Sequence, residues 1–291
     1  MKKRMLRPMR LVRWTDGILP AVWLAGSVFA PGKTALMFGA WLFTRLCGLF
    51  TADGVRMAYA TQPSMRDVNG STTVALLMQL LGAAGLACFI GPEDRNIWIL
   101  LGMGALLNIE HVFYEFLHAA GEKYSAMICR VLTGAFLLFM LLTVTNEWVG
   151  LGLMALAAFI AKLIALIIGG YRPGRLNLGV FKAVPRAVVY GVLYPLSVPI
   201  LHRFLGLEFN RLAFFGGLIL FELCRTPFRR SALESRTMNK WLLAAILLSA
   251  AGIFVCLYFE FAPYMLYPLT IGYAALCAFV LWGSIRLRRD A

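Results

Sequence analysis

One stretch of the sequence, residues 108–118, concentrates residue types that can carry chemistry. It holds two of the three histidines and two carboxylates, and it closes an apolar run that begins at Ile97. Because an α-helix turns by about 100° per residue, four polar side chains of this stretch fall within an arc of about 80°: Asn108, His111, Glu115 and His118. Glu110 points elsewhere. Ionisable groups are costly in hydrocarbon and usually face a bundle interior or a wet cavity. This polar stripe is therefore the candidate functional site.

Three kinds of chemistry fit the stripe. His111, Glu115 and His118 are spaced so that they could offer three ligands to a single metal ion. A di-iron site would need a second Glu-x-x-His motif and a zinc protease would need His-Glu-x-x-His, and the sequence contains neither. A histidine beside a buried carboxylate also suits a proton or ion relay. The third interpretation is structural, with Arg130 or Lys162 as the partner of Glu115.

The helix positions predict a polar, inward-facing cavity rather than a metal centre. Several ionisable groups are predicted at one depth, in the cytoplasmic half of the membrane, which favours a water-filled cavity over a chance distribution. These eight groups are Arg45, Glu110, His111, Glu115, His118, Arg130, Lys162 and Glu222. The residues predicted to line a substrate or ion cavity are Asn108, His111, Glu115, His118, Arg130, Lys162 and Glu222. No metal and no other cofactor is predicted, because no cofactor motif occurs in the sequence.

The composition is that of a membrane protein. Hydrophobic residues make up 60% of the 291 residues, charged residues only 14%, and the mean hydropathy is +0.76. The net charge of +14 is clustered at the ends of apolar runs, so its predicted partners are anionic lipid head groups and not nucleic acid. The basic segment 225–240 is predicted to bind such head groups through Arg225, Arg229 and Arg230.

The apolar runs predict an all-α, polytopic membrane bundle of about ten transmembrane helices. Asp67 to Gly70 is predicted to turn the chain into the third span, and Pro31-Gly32-Lys33 to join the first two as a hairpin. Gly102, Gly104, Gly150 and Gly152 are predicted to be small-residue helix contacts. The spans are expected near 17–30, 34–50, 72–91, 97–118, 126–145, 151–168, 187–206, 212–224, 241–259 and 264–284.

The distribution of positive charge predicts the orientation. With ten spans and a cytoplasmic N-terminus, 21 of the 28 Lys and Arg residues lie in the inner segments, as the positive-inside rule requires. Both termini are therefore predicted to be cytoplasmic. The predicted location is the inner membrane of a bacterial-type cell.

A faint internal repeat runs through the sequence. The fourth span ends in Phe113-Tyr114-Glu115-Phe116 and the eighth in Leu220-Phe221-Glu222-Leu223, and a similar succession of turns and spans follows each. Such duplications occur in transporters. The chain is thus predicted to be one transmembrane domain, residues 1–291, with parallel four-helix repeats at 72–169 and 187–286 after a two-helix lead-in.

The region from Phe113 to Met140 resembles a known family. A helix that ends in the polar turn 120–124 and re-enters the membrane through Arg130 is similar to the fourth-to-fifth helix passage of the multidrug/oligosaccharidyl-lipid/polysaccharide flippase superfamily. With the fourth and sixth spans included, the resemblance covers residues 97–169. That superfamily usually has twelve or more spans in two equal halves. The resemblance implies export of a solute or a lipid-linked substrate through a central cavity.

Three functions follow as hypotheses. The first is a transporter or flippase-like protein that binds an anionic or amphipathic, lipid-linked substrate of unknown identity. The second is a membrane-embedded enzyme that acts on a lipid or a lipid-linked sugar, with Glu115 and His118 as acid and base. The third is a non-catalytic membrane subunit whose function depends on a partner subunit.

Overall fold

The computed structural model describes residues 14–47, 64–90, 95–174 and 176–178, together with positions 215, 218 and 219. The described residues form helices and turns and contain no strand. A short 3-10 helix, Trp14–Gly17, precedes the first α-helix. The α-helices are α1 (Ile18–Phe29), α2 (Pro31–Cys47), α3 (Met65–Ile90), α4 (Arg95–Ala120), α5 (Lys123–Thr143) and α6 (Glu147–Ile167).

Three of these helices, α4, α5 and α6, are long and apolar enough to cross a membrane. The prediction of a helical membrane protein is confirmed. The six helices correspond to the first six predicted spans, although α3 begins seven residues earlier than expected. The last four predicted spans fall outside the described residues, apart from positions 215, 218 and 219.

The chain divides into two compact units, Ala25–Leu201 and, taken together, Met1–Leu24 with His202–Ala291. Most described residues belong to the first unit. In that unit α4 is the central helix, because it packs against α2, α3, α5 and α6. In this bundle α2, from the predicted two-helix lead-in, packs directly on α4.

The link between α1 and α2 is shorter than predicted. Only Ala30 lies between them, and Pro31 is the first residue of α2 rather than part of a turn. Proline suits that position because it has no backbone N–H to leave unsatisfied. A Cβ at Gly26 would lie 2.6 Å from Thr34 Oγ1, so the glycine permits the close approach of the two helix ends.

The start of α3 corrects a second prediction. Residues 67–70 were expected to form a turn, but they lie inside the helix. The backbone N–H of Asp67 donates to Ser64 Oγ at 3.2 Å, and the Ser64 hydroxyl donates to the Asp67 carboxylate. This reciprocal arrangement resembles a capping box, which satisfies a donor at a helix N-terminus. The sequence Ser64-x-x-Asp67 was the signal for the earlier start.

The polar turn between α4 and α5 is confirmed and consists of two residues. Gly121 has a φ of 90°, a left-handed conformation that glycine adopts without steric cost. The N–H of Glu122 donates to Leu117 O at 2.9 Å, and that of Gly121 to His118 O at 3.2 Å. These two bonds define a Schellman motif. The turn makes α4 and α5 an antiparallel hairpin.

Contacts of the Ala25–Leu201 unit identify which helix ends lie together. Lys33 Nζ, near the start of α2, donates to the Val144 carbonyl just after α5. The Arg95 guanidinium, at the start of α4, lies 5.0 Å from the ring centroid of Trp148 at the start of α6. These contacts bring together the α1–α2, α3–α4 and α5–α6 connections, which the sequence predicted to lie on the same side of the membrane. The relative arrangement of these ends therefore agrees with the predicted alternation of the first six spans.

The opposite end of this bundle is closed around Tyr171, which follows α6. Gly170, three residues after the last residue of α6, has a φ of 67°, and the Tyr171 N–H donates to Ala165 O at 2.8 Å. The Tyr171 hydroxyl lies 3.0 Å from Thr73 Oγ1, and its ring packs edge-on against Phe113 and Phe116. Burial raises the pKa of this hydroxyl above its ordinary value, because the charged phenolate would be poorly solvated there.

Candidate functional site

The N-terminal end of the polar stripe packs α4 against α2. A Cβ at Gly104 would lie 2.7 Å from the Ala40 carbonyl oxygen, so the two backbones approach as closely as glycine allows. One turn later, Asn108 Nδ2 donates to the Trp41 carbonyl and to Thr44 Oγ1, each at 3.1 Å. Asn108 is buried. Its amide donors are thus used in fixing the α2–α4 crossing.

The other glycines predicted at helix contacts differ from one another. A Cβ at Gly150 would lie 3.1 Å from Met103 Sδ, and one at Gly102 would lie 3.1 Å from Leu151 Cδ1. Both are real contacts between α4 and α6. A Cβ at Gly152, however, would meet no described atom within 4 Å. The prediction for Gly152 is wrong, because this glycine lies on an exposed face of α6.

The buried cation of the site, Arg130 on α5, is paired with Glu110. Arg130 Nη1 donates to Glu110 Oε2 at 3.0 Å, and the side chains are 2% and 0% exposed. The sequence had offered Glu115 as the partner of Arg130 and had set Glu110 aside because it points away from the stripe. Glu110 does point away from the stripe, but α5 and its Arg130 lie on that side of α4. A buried ion pair of this kind is costly to break, because one unpaired charge remains.

Tyr114 connects the ion pair to the two histidines, and the sequence interpretation missed it. The Arg130 guanidinium lies 4.0 Å from the Tyr114 ring centroid, a cation–π distance. The His111 and His118 rings contact the same ring edge-on, at 5.9 Å and 4.7 Å between centroids. The signal was the spacing, since Tyr114 follows His111 by three residues and precedes His118 by four.

His111 and Glu115 form the most direct acid–base contact of the stripe. His111 Nε2 lies 3.9 Å from Glu115 Oε1, with side-chain exposures of 12% and 2%. The contact is an ion pair only when the imidazole is protonated. A proton on His111 would therefore change the charge beside a buried carboxylate. This pair can therefore accept a proton or bind a charged group.

The remaining predicted cavity residues do not join this cluster in the described part of the chain. Lys162 is exposed on α6 among exposed apolar side chains, and not beside the cluster on α4. Glu222 lies outside the described residues, and so do the predicted lipid-binding residues Arg225, Arg229 and Arg230. The cluster consists of one face of α4, with Arg130 of α5 reaching it through Glu110 and Tyr114.

The geometry does not favour a metal centre at the stripe. Among the described residues, no three His, Cys, Asp or Glu side chains are arranged so that they could hold a metal ion. His118 lies against Tyr114, while His111 contacts Glu115. The three residues that the sequence offered as ligands thus do not converge on one point.

Comparison of the chain with protein-family models, with curated proteins and with solved structures finds no match. The resemblance to the flippase superfamily therefore rests on residues 97–169 alone. The class that the fold itself supports is a helical membrane protein.

Proposed function

We propose that the protein is a multi-pass transporter or flippase-like protein of about ten spans in a bacterial-type inner membrane. Its substrate is an anionic or amphipathic molecule, and the polar face of α4 forms part of the substrate or ion site. The observation that carries this proposal is the His111–Glu115 contact of 3.9 Å on a membrane-spanning helix. Titratable groups at such positions are expensive and usually mark substrate or proton pathways.

The neighbours of this pair support an electrostatic role. Tyr114 lies between the histidines and Arg130. A positive charge on His111 would therefore interact electrostatically with the buried Arg130 guanidinium across the uncharged Tyr114 ring. In a medium of low dielectric constant such interactions are poorly screened. Proton uptake at His111 could therefore be coupled to binding of an anion nearby.

A second candidate function is a membrane subunit whose polar residues are structural. Two observations favour it: Glu110 neutralises Arg130, and Asn108 is bonded to α2. Buried polar groups that satisfy one another can specify how helices pack without binding any ligand. The role of Glu115 separates the two candidates.

The experiment compares the parent with Glu115→Gln and, as a control, Glu122→Gln, which changes a carboxylate in the α4–α5 turn. Purified proteins are screened by thermal shift against carboxylates, phosphate esters and lysophospholipids, and a stabilising compound is then tested for counterflow in proteoliposomes. Ligand at about a hundredfold excess over Kd should stabilise the parent by about 2.7 kcal/mol. Glu115→Gln should keep the unliganded Tm of the parent but lose this stabilisation and the counterflow, while Glu122→Gln should keep all three.

Two results would contradict the transport proposal. The first is a parent protein that none of the three compound classes stabilises. The second is a Glu115→Gln variant that melts early and is rescued by neutralising a neighbouring cation, because that pattern is expected of a structural charge.

A further inference from the structure

The position of Lys162 differs from every other predicted site residue in the described part of the chain. Its side chain is exposed on α6, and exposed apolar side chains surround it on that helix, including Phe159, Leu163 and Leu166. α6 is also the most apolar of the three helices that can cross a membrane. An exposed cation on such a face lies outside the interior of the described bundle.

The depth of Lys162 defines which part of a lipid it can meet. It lies five residues before Ile167, the last residue of α6, which corresponds to about 7.5 Å along the helix axis. The flexible stem of a lysine can carry its amine toward the membrane surface. However, side chains lean toward the N-terminus of their helix, which for Lys162 is away from the nearer end. The amine therefore stays below the level at which α6 ends.

The nearer end of α6 carries exposed basic residues. Lys123, at the start of α5, and Arg172, just after α6, are both exposed. The Arg172 backbone N–H is bonded to the Asn69 side chain, which holds the chain against α3 at this end. Positive charge at a membrane surface attracts anionic lipids, and a cation below that surface can draw a phosphate toward itself.

We infer that Lys162 binds the phosphate of an anionic phospholipid in the leaflet at the Gly121–Tyr171 end of the bundle. The acyl chains of this lipid lie along the exposed apolar face of α6 around Phe159 and Leu163. The phosphate is held deeper than the surrounding head groups, because Lys162 lies before the end of α6 and its side chain leans away from that end. This site is separate from the basic segment 225–240 and does not depend on the proposed transport function.

The test uses the full chain, purified in detergent and incubated with phosphatidylglycerol or phosphatidylcholine, with bound lipid counted by native mass spectrometry. The parent should retain phosphatidylglycerol in preference to phosphatidylcholine. Lys162→Gln should reduce the retained phosphatidylglycerol about fivefold, as expected for the loss of one basic residue near a membrane surface. Lys162→Arg keeps the charge and should retain the lipid. Lys123→Gln removes a surface charge at the same end and should reduce retention less than Lys162→Gln does, because Lys123 only attracts the lipid whereas Lys162 contacts its phosphate.

Folding is checked by the Tm of each variant without lipid, which should equal that of the parent, and Lys162→Met serves as a second neutral variant. Equal retention by Lys162→Gln and the parent would overturn the inference, and so would an equal loss in Lys123→Gln. A dimer that becomes a monomer in Lys162→Gln with unchanged lipid retention would assign the residue to an interface between copies instead. Misfolding of both neutral variants would assign it to the folded core, which also overturns the lipid site.

Discussion

At the scale of single residues, Arg130 is one of two arginines that are buried in the described structure. Its guanidinium is 2% exposed and has Glu110 on one side and the Tyr114 ring on the other. A charge removed from water is tolerated only where such partners compensate for lost hydration. Glu110 therefore stabilises the fold, because it compensates the buried charge of Arg130.

We predict that Glu110→Gln destabilises the protein by about 3–5 kcal/mol, because the amide keeps the shape of the side chain but leaves the guanidinium of Arg130 without a counter-charge. The double variant Glu110→Gln with Arg130→Met should recover most of this loss. Reversible unfolding in mixed micelles measures both free energies of unfolding. Glu115→Gln is the matched control and should stay close to the parent. Unchanged stability in Glu110→Gln would show that the pair is dispensable.

The sequence predicted the correct helix for these residues and the correct faces, but not the neighbours. Helical periodicity put Asn108, His111, Glu115 and His118 on one side and Glu110 on another. It could not indicate that α5 packs against the side that carries Glu110, since that depends on the crossing of two helices. Likewise, Lys162 was grouped with the cavity on its depth alone, and depth does not distinguish an inward face from an outward one.

At the scale of helices, the crossing of α2 and α4 is set by the absence of a side chain at Gly104. The contact there is with the backbone of Ala40, which cannot move aside as a flexible side chain could. The hydrogen bonds of Asn108 depend on the same close approach. The sequence predicted a small-residue contact at Gly104 but not the helix it would contact.

We predict that Gly104→Ala destabilises the protein by about 1–3 kcal/mol, which is typical of overpacking. Gly152→Ala is the control on α6, where a Cβ would meet no described atom within 4 Å. That variant should be neutral or slightly stabilising, because alanine has the higher helix propensity by about 1 kcal/mol. The Tm of each variant provides the comparison. If both substitutions had equal effects, the close α2–α4 crossing would not be a determinant of stability.

At the scale of the whole molecule, the contacts at the helix ends agree with the alternation predicted for the first six spans from the charge distribution. Lys33 reaches Val144, and Arg95 reaches Trp148, so the connections that the positive-inside rule places outside do lie together. The count of ten spans remains a prediction, because the later spans fall outside the described residues. Charge counting can predict their orientation but not their packing.

We predict that single cysteines introduced at positions 94, 147, 209 and 261 of a cysteine-free variant react with a membrane-impermeant maleimide added outside intact cells. Cysteines at positions 123, 175, 230 and 287 should react only after permeabilisation, because inner segments carry the basic residues. A variant with cysteine at both 94 and 147 provides the positive control. Labelling of position 230 from outside would contradict the ten-span topology. Labelling of position 123 from outside would contradict the predicted orientation with a cytoplasmic N-terminus.

The two-residue turn at Gly121 and Glu122 also bears on how the protein enters the membrane. Glu110 and Arg130 are only twenty residues apart in the chain, and the turn brings their helices together without any distant segment. Each charge entering hydrocarbon alone would cost about 2.5–3.5 kcal/mol on translocon-insertion scales. If α4 and α5 leave the insertion machinery as one hairpin, the Glu110 carboxylate and the Arg130 guanidinium enter the bilayer as a neutral ion pair and not as two separate charges. The order of synthesis then matters, because a pause between the two helices would expose Glu110 to lipid before its counter-charge has been made.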